Sequence, residues 1–385
     1  MTEKKTIAID IRKCLRPKTG IGNYIEALVN KLIRVGPEFE YLLLGDKPVS
    51  KKEIPDGCRY VQLGCFYREG GRLAQLYSPY WMNVIVPQFL NLKKITLFHG
   101  PNFVIPAKAD CPCVATIHDL AFLKVPTAYT RIYRKYIKFQ VQSAIKRASA
   151  IIAVSEATKN DLISLMKVAE EKIFVIYHGI SEKFRPVNDS SFLEKVRKEL
   201  QLPERFLLDV GVIERRKNIE TLLRAAEPLI KEGLTDGVVF AGKDGLGANE
   251  IRQFSAKLRI ASQVQFLGYV PDDLLVALYN LAQCLVFPSW YEGFGLPILE
   301  AMACGCPVVA ADSSSIPEAA GDAALLFPPA DADILKSKLR QVLTSENLRS
   351  ELVKKGHKWV NRFSWQDAAE RHLMVYRKVI NESYH

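Results

Sequence analysis

Short apolar, β-branched runs recur along the chain, with stretches of helical period between them. The pattern predicts strands at Thr6–Ile9, Tyr41–Leu44, Ile95–Phe98, Cys113–Ile117, Ile151–Val154 and Phe174–Ile176. A second set follows at Phe206–Val210, Val238–Ala241, Val264–Leu267, Cys284–Phe287, Pro307–Ala311 and Ala324–Phe327. Near-continuous apolar strands alternating with helices argue for parallel sheets covered on both faces. Ile25, Leu28, Val29, Leu32 and Ile33 mark one apolar helix face; Ile219, Leu222, Leu223, Ala226 and Leu229 mark another. The two sets begin alike, each with a strand that leads through a glycine-containing loop into a helix, and residues 184–191 read as a linker between them. The architecture predicted is α/β: two doubly wound domains facing each other across a cleft. Ligands of such sheets lie outside the carboxyl ends of the strands.

A length of 385 residues suits two domains with a core each, and an ordinary composition with 48% hydrophobic residues excludes disorder and a small disulfide scaffold. The net charge of +11 raises the question of an acidic partner. It is unevenly spread. Residues 1–150 hold 24 basic and 11 acidic side chains, residues 151–350 hold 22 and 27, and the last 35 residues hold 7 and 4. A basic nucleic-acid-binding protein would carry its cations over the whole molecule, so this distribution argues against one. The eight cysteines include two C-x-C pairs, Cys111/Cys113 and Cys304/Cys306, but no zinc-type spacing, and are expected to be free thiols of a reducing compartment. The uncharged stretches Leu73–Leu92 and Leu274–Tyr291 are broken by prolines and amides and are too polar to span a membrane. A cytoplasmic protein is expected, with attachment to the inner membrane face left open.

The strongest chemical signal is the run from Ser289 to Glu300, which follows a strand and opens a helix with Pro297 in its first turn. Gly293 and Gly295 let backbone approach a ligand, and a helix N-terminus offers N–H groups to a phosphate. Glu292, on the loop, and Glu300, placed in the first helical turn, could accept hydrogen bonds from hydroxyls at two parts of one ligand; alternatively Glu300 merely favours the positive helix end. After the strand Phe206–Val210 comes Gly211, then Arg215, Arg216 and Lys217, with Asn218 as the expected N-cap. Three adjacent cations there would neutralise a diphosphate. Gly20 and Gly22 occupy the first loop of the chain's N-terminal half. His118, at a strand's carboxyl end, could bond a sugar hydroxyl or move a proton, or be held by backbone; His99 and His178 also end strands and are weaker candidates. Tyr129–Ala148 reads as an amphipathic helix decorated by Arg131, Arg134, Lys135 and Lys138, suited either to an anionic lipid surface or to packing on the core with a solvated basic face.

Glu292 to Glu300, continued by residues 301–310, Ser313–Glu318 and Ala320–Phe327, resembles the signature of the family 4 glycosyltransferases. The resemblance, greatest to mannosyltransferase-like members that build cell-surface polysaccharides, implies a retaining, nucleotide-sugar-dependent enzyme of the GT-B fold. It implies an acceptor-binding Rossmann-like domain at 1–185, a nucleotide-sugar-binding one at 186–362, and a C-terminal helix at 363–385, opened by Ser364 as N-cap, crossing back to the first. By the same resemblance Glu300 binds the donor ribose and Glu292 the donor sugar, while Arg216 and Lys217 stabilise the leaving diphosphate. His118 lies beside the sugar, and Gly20, Gly22, Gly211, Arg215, Val270, Gly293, Phe294, Gly295 and Leu296 join the donor site. Where many members carry Arg directly after the first glycine this chain has Val212, so the phosphate contact falls to Arg215 or Arg216.

The activity implied moves a hexose, mannose from GDP-mannose, to a lipid-linked or polysaccharide acceptor. The alternatives are a glucosyl- or rhamnosyl-type transferase using a UDP- or dTDP-sugar and, further off, a glycoside hydrolase, since paired carboxylates also serve that chemistry. No cofactor is expected beyond the nucleotide-sugar co-substrate, and no metal, because the cations can stabilise the departing diphosphate.

Overall fold

A computed structural model describes residues 4–16, 20–64 and 77–383. Cys65 and the predicted ligand-loop residues Lys18 and Thr19 lie outside that set. The strands are β1 (Thr6–Asp10), β2 (Glu40–Gly45), β3 (Cys58–Gln62), β4 (Leu97–Gly100), β5 (Cys113–Ile117), β6 (Ala150–Ala153) and β7 (Ile173–Val175). In the second half come β8 (Phe206–Val210), β9 (Gly237–Ala241), β10 (Val264–Gly268), β11 (Cys284–Phe287), β12 (Val308–Ala311) and β13 (Leu325–Phe327). The helices that matter below are α1 (Gly20–Val35), α2 (Arg131–Arg147), α3 (Ile219–Lys231), α4 (Asp272–Leu281), α5 (Leu296–Ala303) and α6 (Trp365–Ser383).

The chain divides into two compact units, Met1–Leu120 with Lys135–Gly179 and Ser364–His385, and Ala121–Arg134 with Ile180–Phe363. The boundary therefore falls at Gly179/Ile180 rather than at 185, and Ala121–Arg134 joins the second unit although it lies within the range expected for the first domain.

The first unit holds a parallel sheet of order β3-β2-β1-β4-β5-β6-β7. The inner strands β5 and β6 are buried along their whole length, which is why they read as unbroken apolar runs. The edge strand β3 escaped the sequence pattern because only one neighbour pairs with it and none of its residues is fully buried. Ile25, Leu28, Val29 and Leu32 of α1 pack into one core with Ile7, Ile9 and Leu97 of the sheet and with Trp365, Ala369, Leu373, Tyr376 and Ile380 of α6. The C-terminal helix is thus an integral layer of this unit. Ser364 starts it as the sequence suggested, its Oγ accepting from Gln366 N–H at 3.1 Å.

The second unit holds a parallel sheet of order β10-β9-β8-β11-β12-β13. The order reverses between β8 and β11, and a crevice at such a switch point is where a doubly wound sheet binds its ligand. The loops leaving β8 and β11 are the two that carry the predicted cations and the predicted glutamates.

Candidate active site

In the second unit, β8 ends at Val210 and passes through Gly211, whose φ of +147° few side chains tolerate. Glycine is needed there for space as well. A Cβ at this position would lie 2.8 Å from the ammonium of Lys217, so the lysine folds back directly over the strand end. Arg215–Lys217 form a single 3₁₀ turn that gives the three cations different surroundings. Lys217 is buried, with Nζ 2.7 Å from Glu292 Oε1 and 4.7 Å from the centre of the Phe287 ring. Arg216 donates to Glu292 Oε2 at 2.7 Å, to the Tyr291 carbonyl at 2.6 Å and to Glu214 at 2.8 Å. Arg215 turns away: it is exposed and pairs with Glu250 at 2.9 Å. Of the two arginines that the sequence left undecided, Arg216 is the one at the carboxylate cluster.

Asn218 holds the N-cap position of α3 without making the expected side-chain cap. It adopts the left-handed conformation at φ 54°, and its amide donates to the carbonyls of Pro288 (3.0 Å) and Pro329 (2.6 Å). The Trp290 N–H donates to the Arg216 carbonyl at 2.9 Å. These bonds tie the loop after β8 to the loop after β11 and fix where Glu292 sits.

Glu292 is anchored through its backbone too. Its N–H donates to Ser314 Oγ at 2.8 Å, and its carbonyl accepts from Ser315 Oγ at 2.9 Å. Burial alone would push its carboxyl up, but Arg216 and Lys217 outweigh burial and hold it down at about 2. Gly293 and the buried Phe294 continue the loop, Gly295 occupies the N-cap of α5, and Leu296 is the first helical residue with Pro297 in the first turn. Glu300 lies one turn deeper than predicted, as the fifth residue of α5, so the positive helix end does not account for it. It accepts from the Tyr279 hydroxyl of α4 at 2.8 Å. Burial raises it to about 7, against the lowering influence of that bond and of Lys183. Val270 follows β10 and is half-buried.

Three neighbours here escaped the sequence reading. Asp209, on β8, is fully buried with neither oxygen hydrogen-bonded to any described residue, and burial pushes its acidity to about 7. It sat unnoticed inside an apolar run. Glu214 lies between Gly211 and the cation run, where the sequence pattern gives it no role. Tyr279 had no signal at all, being 21 residues from its partner. The chain carries one Asp-x-Asp triplet, Asp331-Ala332-Asp333, and it serves as a helix cap: Asp331 Oδ1 accepts from Asp333 N–H and Ile334 N–H, and Asp333 pairs with Lys336. No cluster of three or more His, Cys, Asp or Glu suited to a metal occurs among the described residues. The seven described cysteines are free.

In the first unit, His118 follows β5, and Nε2 donates to the Pro101 carbonyl at 2.8 Å. Burial lowers its basicity, so it is neutral with Nδ1 as the acceptor. The ring is therefore anchored by backbone and still able to accept a bond from a hydroxyl. Gly20 opens α1 with open space where a Cβ would stand, whereas a Cβ at Gly22 would lie 2.9 Å from the Lys13 carbonyl. Steric need thus holds for Gly22 alone. His99 and His178 are buried: His99 bonds Thr116 and Tyr376, and His178 stacks on Trp365.

Helix α2 departs from the predicted single apolar stripe. Ile137, Val141 and Ala144 are buried, but Ile132, Tyr133, Tyr136 and Phe139 are exposed, Ile132 by 84% and Phe139 by 68%. Arg131, Lys135 and Lys138 are exposed beside them; Arg134 is half-buried and donates to the Phe122 carbonyl at 3.2 Å.

Two family models match the chain, one described as Glycosyltransferase Family 4 over residues 18–184 and one as Glycosyl transferases group 1 over residues 192–359. D-inositol 3-phosphate glycosyltransferase of Corynebacterium jeikeium is 30% identical over 86% of this chain and 79% of its own. The chain belongs to the family 4 glycosyltransferases. The O-antigen chain mannosyltransferase B of Escherichia coli is 29% identical over 94% of this chain and 96% of its own. Among solved structures, Anabaena HepE in complex with UDP-glucose superposes with a TM-score of 0.73 at 18% identity, covering 97% of this chain and 99% of that one. At that identity the likeness speaks for the fold, two parallel-sheet Rossmann-like domains in a glycosyltransferase. This glycosyltransferase therefore carries its cations and both glutamates at the switch point of its second sheet.

Proposed function

We propose that the enzyme transfers mannose, with retention, from GDP-mannose to a lipid-linked or polysaccharide acceptor in the building of a cell-surface polysaccharide. The observation that carries the donor assignment is the shared carboxylate of Glu292, bonded to both Arg216 and Lys217 at the end of β8. A diphosphate can take the place of that carboxylate on the two cations, which frees Glu292 to accept bonds from the sugar hydroxyls. Charge-assisted bonds of this kind are strong and directional. Glu300 would receive the ribose hydroxyls, and Arg216 with Lys217 would stabilise the diphosphate as it departs, so no metal is required. His118, as a neutral acceptor, would serve a hydroxyl of the sugar.

The mannose assignment draws on the relative named as an O-antigen chain mannosyltransferase. The exposed basic and apolar face of α2 suits contact with anionic lipid, where a lipid-linked acceptor resides. No described helix is long and apolar enough to cross a membrane. Turnover of a panel of nucleotide sugars in the presence of EDTA tests the reading. GDP-mannose should be consumed fastest; preference for a UDP- or dTDP-sugar would replace mannose with glucose or rhamnose, and strict dependence on a divalent ion would overturn the metal-free mechanism.

A further inference from the structure

The carboxyl of Asp209 has no place in the site as described so far. It stands two residues before Gly211 on β8, fully buried, with both oxygens lacking a hydrogen-bond partner among the described residues. A carboxylate left this way carries a large desolvation cost, which a bound proton removes. The nearby cation that could pair with it is committed elsewhere: Lys217 Nζ lies over Gly211 and is bonded to Glu292 at 2.7 Å. The flanking strands offer no charge, since β9 is wholly apolar and β11 contributes only the Cys284 thiol, pushed up to about 12 by burial. On α3 the charged residues Glu220, Arg224 and Lys231 are exposed to solvent, and the half-buried Glu227 is paired with Lys231 at 2.7 Å. The charges acting on Asp209 are therefore those of Lys217, which favours its ionisation, and Glu292, which opposes it.

The balance of the cluster decides what the proton does. Arg216 and Lys217 are matched by Glu214 and Glu292. With Asp209 protonated the cluster is neutral, and a diphosphate can replace Glu292 on the cations. With Asp209 ionised the cluster is already net negative, and its added charge opposes the incoming phosphates. We propose that Asp209 is a positioning residue that must carry a proton for the donor to bind: it keeps the charge of Lys217 available to the diphosphate, and donor binding in alkaline solution takes up one proton from solvent at this carboxyl. This rests on the reading of the second unit as the nucleotide-sugar site. Its acidity near 7 places the change within the working range of most enzymes.

The test compares the dissociation constant of GDP-mannose, and of UDP-glucose, for wild type and Asp209→Asn from pH 6 to pH 9. Asparagine is neutral at every pH, as the protonated acid is. The two proteins should bind equally at pH 6. At pH 8 the wild type should bind about tenfold more weakly than the variant, because its carboxyl is then mostly ionised. Parallel pH profiles would overturn the proposal. A second measurement needs no variant: calorimetry at pH 8 in buffers of different ionisation heat should find net proton uptake, approaching one proton, by the wild type on binding. Glu300 is already ionised at that pH and contributes little. Absence of uptake would equally overturn the proposal. Failure of both nucleotide sugars to bind the wild type at pH 6 would instead reject the donor-site reading, and this inference with it.

Discussion

The hydroxyl of Tyr279 on α4 donates to Oε2 of Glu300 on α5 at 2.8 Å, so the proposed ribose-binding carboxyl is held by a neighbouring helix of its own unit. Burial nonetheless raises Glu300 to about 7 from an ordinary value of 4.5. The folded protein therefore holds an extra proton there between those values, and this group's contribution to stability falls as pH rises from about 4.5 to 7. At pH 8 the buried charge costs on the order of 1–3 kcal/mol. Glu300→Gln removes that cost while keeping an acceptor for Tyr279. The variant should melt higher than the wild type at pH 8 but not at pH 4, while its Michaelis constant for donor rises at least tenfold, the value of a lost charge-assisted bond. An unchanged Michaelis constant would remove Glu300 from the donor site.

Glu292 is expected to behave in the opposite way. It neutralises the buried Lys217 and the half-buried Arg216, so Glu292→Ala leaves Lys217 without its carboxylate and should cost about 3–5 kcal/mol in denaturant unfolding. A nucleoside diphosphate that occupies the same cations should restore much of that loss, more than it stabilises the wild type. Because the wild-type carboxyl is held at about 2, its contribution is present above about 4.5 and disappears as pH falls toward 2. Equal stabilisation of variant and wild type by the nucleotide would mean that phosphate does not replace Glu292.

Much of this site was legible in the sequence because its parts are local. Strand, glycine and cation run lie within a dozen residues, and Glu292 to Glu300 is one continuous loop and helix. What the sequence could not rank was direction. Arg215 and Arg216 are adjacent and chemically identical, and only the tight 3₁₀ turn sends one to Glu250 and the other to Glu292. Asn218 looked like a cap because caps are short-range, whereas its amide in fact reaches carbonyls at 288 and 329. Asp209 was hidden by its own strand, whose period says where a side chain points but not whether it has a partner. His99 could not be ranked for a similar reason: one of its partners, Tyr376, comes from α6, 277 residues along the chain.

Those partners form a chain whose proton positions follow one from another. His372 Nδ1 donates to the Ala368 carbonyl at 2.6 Å, so Nε2 must accept from the Tyr24 hydroxyl at 2.9 Å. Tyr24 then accepts from Thr116, Thr116 from His99 Nε2, and His99 Nδ1 from Tyr376. Every member is satisfied only while both histidines are neutral. Burial lowers His372 to about 4, so the unfolded chain binds more protons between about 4 and 6.5. Stability from this network is present above about 6.5 and is lost as pH falls toward 4. Tyr24→Phe should cost about 1–3 kcal/mol, because it strands Thr116 and His372 together. Thermal unfolding of wild type and Tyr24→Phe from pH 4 to 7 checks both: the gap between them should narrow as pH falls toward 4, and a gap that does not change with pH would mean the histidines are already charged or exposed.

The exposed face of α2 gives the last expectation. Ile132, Tyr136 and Phe139 recur at spacings of four and three, which lines them along one side of the helix, and Arg131, Lys135 and Lys138 lie beside them in solvent. A basic residue near an anionic surface contributes about 1 kcal/mol. Neutralising these three cations should therefore weaken binding to phosphatidylglycerol-containing vesicles by about a hundredfold, and raised salt should do the same to the wild type. Arg134 is half-buried and spent on the Phe122 carbonyl, so its replacement by Gln should change vesicle binding little. Ile132→Ser with Phe139→Ser should weaken binding even at low salt, since the apolar contribution is not screened. Vesicle sedimentation that is indifferent to all of these substitutions would detach α2 from the membrane and leave its apolar face without an assigned partner.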